Sequence, residues 1–307
     1  MEHRRCLRSL VCLVLALLLA PSAWGYLQSP ALNLGFTSFL DGAPPAGPGF
    51  YFQEYVGYYT ADELQDFPVP NPGLDVWISL NQFIYQSNTP VLFGGKWGID
   101  VIVPFVSIES SPQPPLTNED GLSDIYVGPY LQWDPIMGEN GPIFMHRIEF
   151  QTIWPTGSYD ETRLLNAGSN FFSFDPYWAG TLFITPKWTA SARVHYLWNA
   201  KNDDPFVGFA ADDSQAGQAI HANFASSYEL IEKKLRLGVN GYFFEQVTDS
   251  KIGSVEVDDK ESVFAIGPGA LWSFSQDSHL FFNAYFETNA DYRPEGERFI
   301  LRFVHHF

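Results

Sequence analysis

The sequence predicts an all-β chain: an antiparallel transmembrane β-barrel of about twelve strands with a short N-terminal apolar segment. Three observations predict it. Apolar and polar residues alternate with period two over most of the chain, connections alternate between long acidic and short, and the last strand ends on an aromatic residue.

The chain opens with Arg4, Arg5 and Arg8, an apolar run from Leu10 to Ala20, then Pro21 and the small-residue exit Ala23-Trp24-Gly25. This pattern is that of a secretory signal peptide over residues 1–25, cleaved after Gly25. Its eleven apolar residues are too few for a spanning helix, which needs about 20. Cys6 and Cys12 leave with it, so the mature chain holds no thiol and excludes disulfides, thiol nucleophiles and thiolate metal sites. Losing three Arg and one Glu leaves 34 acids against 14 bases. Nucleic acid is therefore excluded as a partner. Aromatic residues make up 17% of the chain, as much as all charged residues together, which favours strands over helices. No cofactor is implied.

After an apolar segment over 26–48, twelve segments fit a barrel spanning 49–307: about 49–59, 74–86, 91–107, 121–134, 141–154, 171–184, 187–199, 217–230, 234–247, 262–274, 278–289 and 296–307. The clearest sets Trp188, Ala190, Ala192, Val194, Tyr196 and Trp198 on one face against Thr189, Ser191, Arg193, His195, Leu197 and Asn199 on the other. Rings on both faces blur the first segment, while Pro104 and Pro176 interrupt the third and sixth.

The odd connections, at 60–73, 108–120, 155–170, 200–216, 248–261 and 290–295, are mostly long and hold 19 Asp or Glu against 5 Lys or Arg. The even ones, such as Thr185-Pro186, Ile231-Glu232-Lys233 and Ser275-Gln276-Asp277, are short. An outer-membrane barrel has long outer loops and short periplasmic turns, so the acidity gathers on the outer rim. A soluble β-sandwich alternates too. Segments mostly of 11 to 14 residues, however, exceed the usual sandwich strand of roughly 5 or 6 and suit a tilted membrane crossing. Trp188 and Trp198 at the two ends of a stripe suit interfacial girdles. In the last segment Phe299, Leu301, Phe303 and Phe307 share one face, an arrangement that resembles the signal read by the barrel-assembly machinery; His305 departs from it. Phe303 and Phe307 are the assembly-signal candidates.

The stretches Pro48-Gly49-Phe50-Tyr51-Phe52-Gln53-Glu54-Tyr55 with Tyr58-Tyr59, Gly98-Ile99-Asp100-Val101-Ile102-Val103-Pro104-Phe105, Gly121-Leu122-Ser123-Asp124-Ile125-Tyr126-Val127-Gly128-Pro129-Tyr130, and Pro155-Thr156-Gly157-Ser158-Tyr159 resemble the outer-membrane proteins of the phenol meta-cleavage (MetA-pathway) family. The resemblance covers nearly the whole mature chain. It implies an outer-membrane channel that passively admits small hydrophobic, in particular aromatic, solutes. Because the shared residues are structural Gly, Pro and aromatics, it does not fix the cargo.

The polar faces place Lys96, Asp100, Asp124, Arg147, Glu149, Arg193, His195, His221, Arg236, Glu287, Arg298 and Arg302 in the lumen, where opposed charges either set selectivity or pair to fill the interior. Leu32, Leu34, Phe36 and Phe39 make the N-terminal segment a candidate plug or gate, with a periplasmic strap as the alternative. A sealed structural or adhesive barrel competes with the channel. A lipid hydrolase is the rival enzyme class, since His195 and His221 lie near Ser191 and Ser227, but no nucleophile motif such as Gly-x-Ser-x-Gly occurs and no catalytic residue is assigned. No metal site is expected: His305-His306 lacks a third ligand. Asp203-Asp204, Asp212-Asp213 and Asp258-Asp259 are solvated acids that could bridge divalent cations to lipopolysaccharide.

Overall fold

The computed structural model describes residues 29–42, 46–64, 73–111 and 120–307, the side chains of Glu63, Leu64 and Ser111 excepted. The signal peptide read over residues 1–25 lies outside the described residues, as do 65–72 and 112–119 of the first two outer connections.

Twelve antiparallel strands close into one barrel. They are β1 (Gly49–Leu64), β2 (Gly73–Pro90), β3 (Lys96–Ser111), β4 (Gly121–Leu122 and Ile125–Gln132), β5 (Gly141–Glu149 and Thr152–Trp154), β6 (Ser173–Phe174 and Tyr177–Phe183), β7 (Trp188–Asn199), β8 (Ala219–Ile231), β9 (Leu235–Gln246), β10 (Ser262–Ser273), β11 (Ser278–Asp291) and β12 (Pro294–His306). Each pairs with the next, and β12 returns to β1 in a register that runs from Tyr51 opposite His306 to Leu64 opposite Pro294. Closure is what hydrocarbon demands, since an open edge would leave a row of amides and carbonyls without partners. A small loop sheet of Ser214–Gln215, Ser250–Ile252 and Val255–Val257 stands at the outer end.

The two prolines act locally. Pro104 stays inside β3 opposite Leu80; on its other side β4 breaks at Ser123-Asp124, where the Ser123 amide still donates to the Pro104 carbonyl. Pro176 breaks β6, and Asp175 beside it turns into the interior. Several expected boundaries shift: β1, β2 and β3 run on past 59, 86 and 107 to Leu64, Pro90 and Ser111. Residues 91–95 form a turn closed by Val91 N–H to Gly95 O and Gly95 N–H to Leu92 O, with Phe93 and Gly94 at positive φ, rather than the start of β3. The connection expected over 290–295 shrinks because β11 and β12 run up to Asp291 and Pro294.

Period-two alternation now has a physical meaning. Outward residues such as Val56, Phe83, Ile99, Val194, Val239 and Phe282 are exposed, while their chain neighbours are buried inside. Trp77, Trp154 and Trp198 ring the outer end of that band, and Trp97, Trp188 and Trp272 ring the periplasmic end. Ten residue steps separate Trp188 from Trp198, which at about 3.3 Å per residue and a tilt of roughly 40° gives a band about 25 Å tall.

The interior is occupied. Residues 29–42 run through the lumen, with Leu34, Phe36 and Phe39 buried. Their backbone is held by inward side chains: Gly35 N–H donates to Asn223 (2.7 Å), Tyr285 donates to Gly35 O (2.7 Å), Leu40 N–H donates to Ser191 (3.1 Å) and Gly42 N–H to Thr181 (2.9 Å). Gly35 is required here twice over. Its φ is +82°, and a Cβ would sit 2.7 Å from the Tyr285 ring.

Bilayer insertion separates two valines of similar exposure, Val239 on the outward face of β9 (49%) and Val255 in the loop sheet (64%). Val239→Arg is expected to cost about 2–4 kcal/mol in a lipid-vesicle refolding titration, and Val255→Arg close to nothing. Equal effects at the two positions would remove the membrane-facing band.

Candidate functional site

The N-terminal segment divides the lumen into two cavities. The outer, of about 280 Å³, lies between residues 29–36, inward residues of β1–β3 such as Leu74, Val76 and Ile108, and the loop residues Leu164 and Leu165. Its walls are mainly aliphatic, with Arg293, Arg298 and Glu261 at one side. The inner, of about 700 Å³, lies beneath residues 37–41 and reaches the periplasmic turns at Glu232–Lys234 and Ser275–Gln276.

The charged groups of the interior fall into three levels. Near the outer end Glu287 accepts from Tyr59 (2.7 Å), Tyr242 (2.7 Å) and the Gly296 amide (2.9 Å). Arg298 lies over the Tyr59 ring (4.9 Å) and donates to Leu34 O (3.0 Å), joining the wall to the segment.

At mid-height Asp175 bridges two imidazoles, with Oδ2 2.9 Å from His195 Nδ1 and Oδ1 3.1 Å from His221 Nε2. All three side chains are buried, and the rings stack at 4.1 Å. No local spacing joins Asp175 to this pair, because it takes the break at Pro176 to aim it inward and the β7–β8 register to set His195 opposite His221. The trio is the one group of metal-ligating side chains that comes together among the described residues, against the expectation of none. As they stand, each ring directs one nitrogen to the carboxylate, while His195 Nε2 and His221 Nδ1 have no partner. By engaging one nitrogen of each ring, the Asp175 carboxylate sets both tautomers.

Toward the periplasm Asp41 of the segment meets Arg193 through two bonds, 2.6 and 2.8 Å, with Arg147 3.8 Å away. Arg193 stacks on Tyr177 (4.1 Å), which in turn donates to Glu149 (2.5 Å). Glu149 fits because Gly128 opposite has no side chain; a Cβ there would lie 2.2 Å from its Oε1. Asp100 accepts from Gln82 (2.5 Å). Arg236 pairs with Glu229 (3.0 Å) at the inner mouth, and Arg302 lies over Phe281 (3.7 Å).

Of the twelve sequence-read lumen residues, five, Arg147, Arg193, Arg236, Arg298 and Arg302, line these two cavities. Asp124 instead pins the outer loop, accepting from Gly157 N–H (3.0 Å) and from Ser169 N–H (2.8 Å) and Oγ–H (2.5 Å). Lys96 sits at the periplasmic rim against Asp134 (2.6 Å). Of the assembly-signal residues, Phe303 faces outward and Phe307 is exposed, its amide donating to Phe50 O (2.9 Å). Asp41, Asp175, Tyr177 and Tyr242 are among the interior residues that sequence reasoning missed.

Ser191 and Ser227 bond to neighbouring hydroxyls, amides and Arg236 rather than to His195 or His221. Serine meets imidazole at Ser273–His279 (2.8 Å), where the other ring nitrogen faces a backbone carbonyl. On the rim, Asp213 pairs with Lys201 (2.6 Å), and Asp249 pairs with Lys260 (2.8 Å), pushing that ammonium's pKa up. Hydrogen bonds from Thr162 hold Asp160 below the ordinary carboxylate range.

The profile of the family described as "Putative MetA-pathway of phenol degradation" matches residues 58–303. No curated protein sequence matches the chain. Among solved structures, an outer membrane channel from Pseudomonas putida F1 is similar at TM-score 0.76 and 17% identity over 90% of this chain and 100% of that one. The transport unit of the autotransporter AIDA-I from Escherichia coli is similar at TM-score 0.52 and 10% identity over 94% and 99%. At these identities the likeness establishes the fold, that of a bacterial outer-membrane β-barrel.

Removing one partner of a buried ion pair costs about 3–5 kcal/mol, so Asp41→Ala should loosen the segment while leaving the wall intact. Amide hydrogen exchange is the measurement. Leu40 and Gly42 are expected to exchange roughly 100-fold faster or more, at about 1.4 kcal/mol per decade, with the β7 amides unchanged. Undiminished protection at Leu40 and Gly42 would show that Asp41 does not hold the segment.

Proposed function

The chain belongs to the MetA-pathway phenol-degradation family, and from that premise we propose that its barrel is an outer-membrane channel for passive uptake of small hydrophobic solutes, aromatic ones in particular. The observation that carries the reading is the pair of cavities on either side of residues 29–42, the outer one walled largely by aliphatic side chains. A neutral ring gains about 25 cal/mol for each Å² of apolar surface that leaves water, so the outer cavity favours such a solute over ions and sugars. Residues 29–42 then serve as the plug, and residues 49–307 as the wall it closes.

The path has no catalytic step. The solute moves down its gradient, and a displacement of the segment joins the two cavities. Lipid covers the outward band, and lipopolysaccharide meets the acidic rim, with the acid pairs of the outer loops as its cation-bridged contacts. The C-terminal Phe303 and Phe307 are the residues offered to the assembly machinery.

The hydrogen bonds that seat the segment also favour a second reading, a sealed structural barrel, and two measurements separate them. Single-channel conductance should rise when residues 29–42 are deleted; an unchanged value removes the plug. Initial uptake of radiolabelled phenol by intact Gram-negative cells should be several-fold faster with the protein than without it. It should fall to background in Val76→Lys, which puts a charge into the outer cavity, and equal rates with and without the protein would leave the sealed barrel standing.

A further inference from the structure

We propose that the inner cavity is a binding site for a small aromatic carboxylate, with the carboxylate on Arg302 and the ring against the aromatic wall. The starting observation is a mismatch of charge. Four guanidiniums, those of Arg147, Arg193, Arg236 and Arg302, and the ammoniums of Lys233 and Lys234 line the cavity against three carboxylates, those of Asp41, Glu229 and Glu232. Arg193 takes Asp41 through both of its oxygens and Arg147 stands second to it. Arg302 has no carboxylate within ion-pair distance among the described residues. The remaining acids do not supply one: Glu229 is bound to Arg236, Asp100 to Gln82 and Glu149 to Tyr177, and Glu232 is exposed on a periplasmic turn at the mouth.

Arg302 is nevertheless buried, and its Nε has no hydrogen-bond partner. Its guanidinium carbon lies over the Phe281 ring at 3.7 Å and over the Tyr55 ring at 5.7 Å, with the Tyr55 hydroxyl hydrogen-bonded to it. Cation–π contact holds a guanidinium by its face and leaves the N–H edge for hydrogen bonds, of which the Tyr55 hydroxyl takes one. That edge is the fork that takes a carboxylate through two parallel bonds, as Arg193 does with Asp41 in the same cavity. A buried cation without an anion is costly, and a ligand carboxylate removes that cost.

The walls select the rest of the ligand. Tyr51, Tyr130, Phe281, Leu271 and Val304 give a cavity of about 700 Å³ an apolar lining beside the charged edge, the usual combination for a small-molecule pocket. The cavity reaches the periplasmic turns, where Lys233 and Lys234 outnumber Glu232. Anions therefore enter from that side, whereas the acidic outer rim repels them. Binding does not require the lumen to conduct, so this site and the uptake of neutral solutes stand or fall separately.

Isothermal titration of benzoate into the purified barrel in detergent, with benzyl alcohol as the uncharged counterpart, tests the site. Saturable benzoate binding is expected, at least tenfold tighter than benzyl alcohol, weakened tenfold or more in Arg302→Gln and partly restored in Arg302→Lys. Acetate at the same concentration should not displace benzoate. Equal binding of benzoate and benzyl alcohol overturns the proposal, as does a folded Arg302→Gln that binds benzoate like the parent, or displacement by acetate. Should Arg302→Gln fail to fold, Leu271→Trp fills the cavity while keeping every charge; benzoate binding must then disappear, and its persistence overturns the site. Conductance and phenol uptake measured on the same variants report on the channel independently.

Discussion

In hydrocarbon a backbone amide has no water to fall back on, and the pairing of β12 with β1 is the constraint from which the rest of this structure follows. A closed ladder permits no change of register without turning a strand's faces inside out. The outward face therefore has to be apolar along its whole height. The inward face, cut off from lipid, is free to carry the polar residues on which any function depends. Closure also confines twelve inward-facing rows to a narrow space, so large side chains and charges must be accommodated by one another.

The interior meets that demand with rings and guanidiniums stacked in layers. Tyr177, Tyr242 and Tyr59 each serve a carboxylate through the hydroxyl while offering a face to an arginine. The N-terminal segment is integrated into the same network through Asp41, Asn33 and the backbone of Leu34 and Gly35. Apolar contacts hold it along its length as well: Leu34 and Phe36 join the core around Tyr55, Leu80 and Ile300, and Phe39 joins the one around Tyr51, Ile84 and Phe281.

Much of this was legible in the sequence because a barrel writes its topology with period two. The alternation of Trp188 to Trp198 against Thr189 to Asn199 gave both the strand and its orientation, and the inward set followed from parity alone. What parity cannot give is which inward residues meet. Asp175 joins His195 and His221 because of a break at a proline, and Asp41 joins Arg193 from 152 positions away. Both depend on tertiary closure and leave no local spacing to read. The cavities are equally hidden, since they are what remains once side chains have packed.

The separation of the tryptophan rings at the two ends of the outward band has a consequence for where this molecule can reside. With Trp188 and Trp198 ten residues apart on β7, the barrel is cut to a hydrocarbon layer of about 25 Å, thinner than the roughly 30 Å of an average bilayer. A rigid cylinder cannot tilt its way into a thicker layer as a single helix does, so mismatch would have to be absorbed by deforming the lipid. Thickness matching thus acts as an address, favouring the thin bacterial outer membrane over any thicker one the chain meets on its way there.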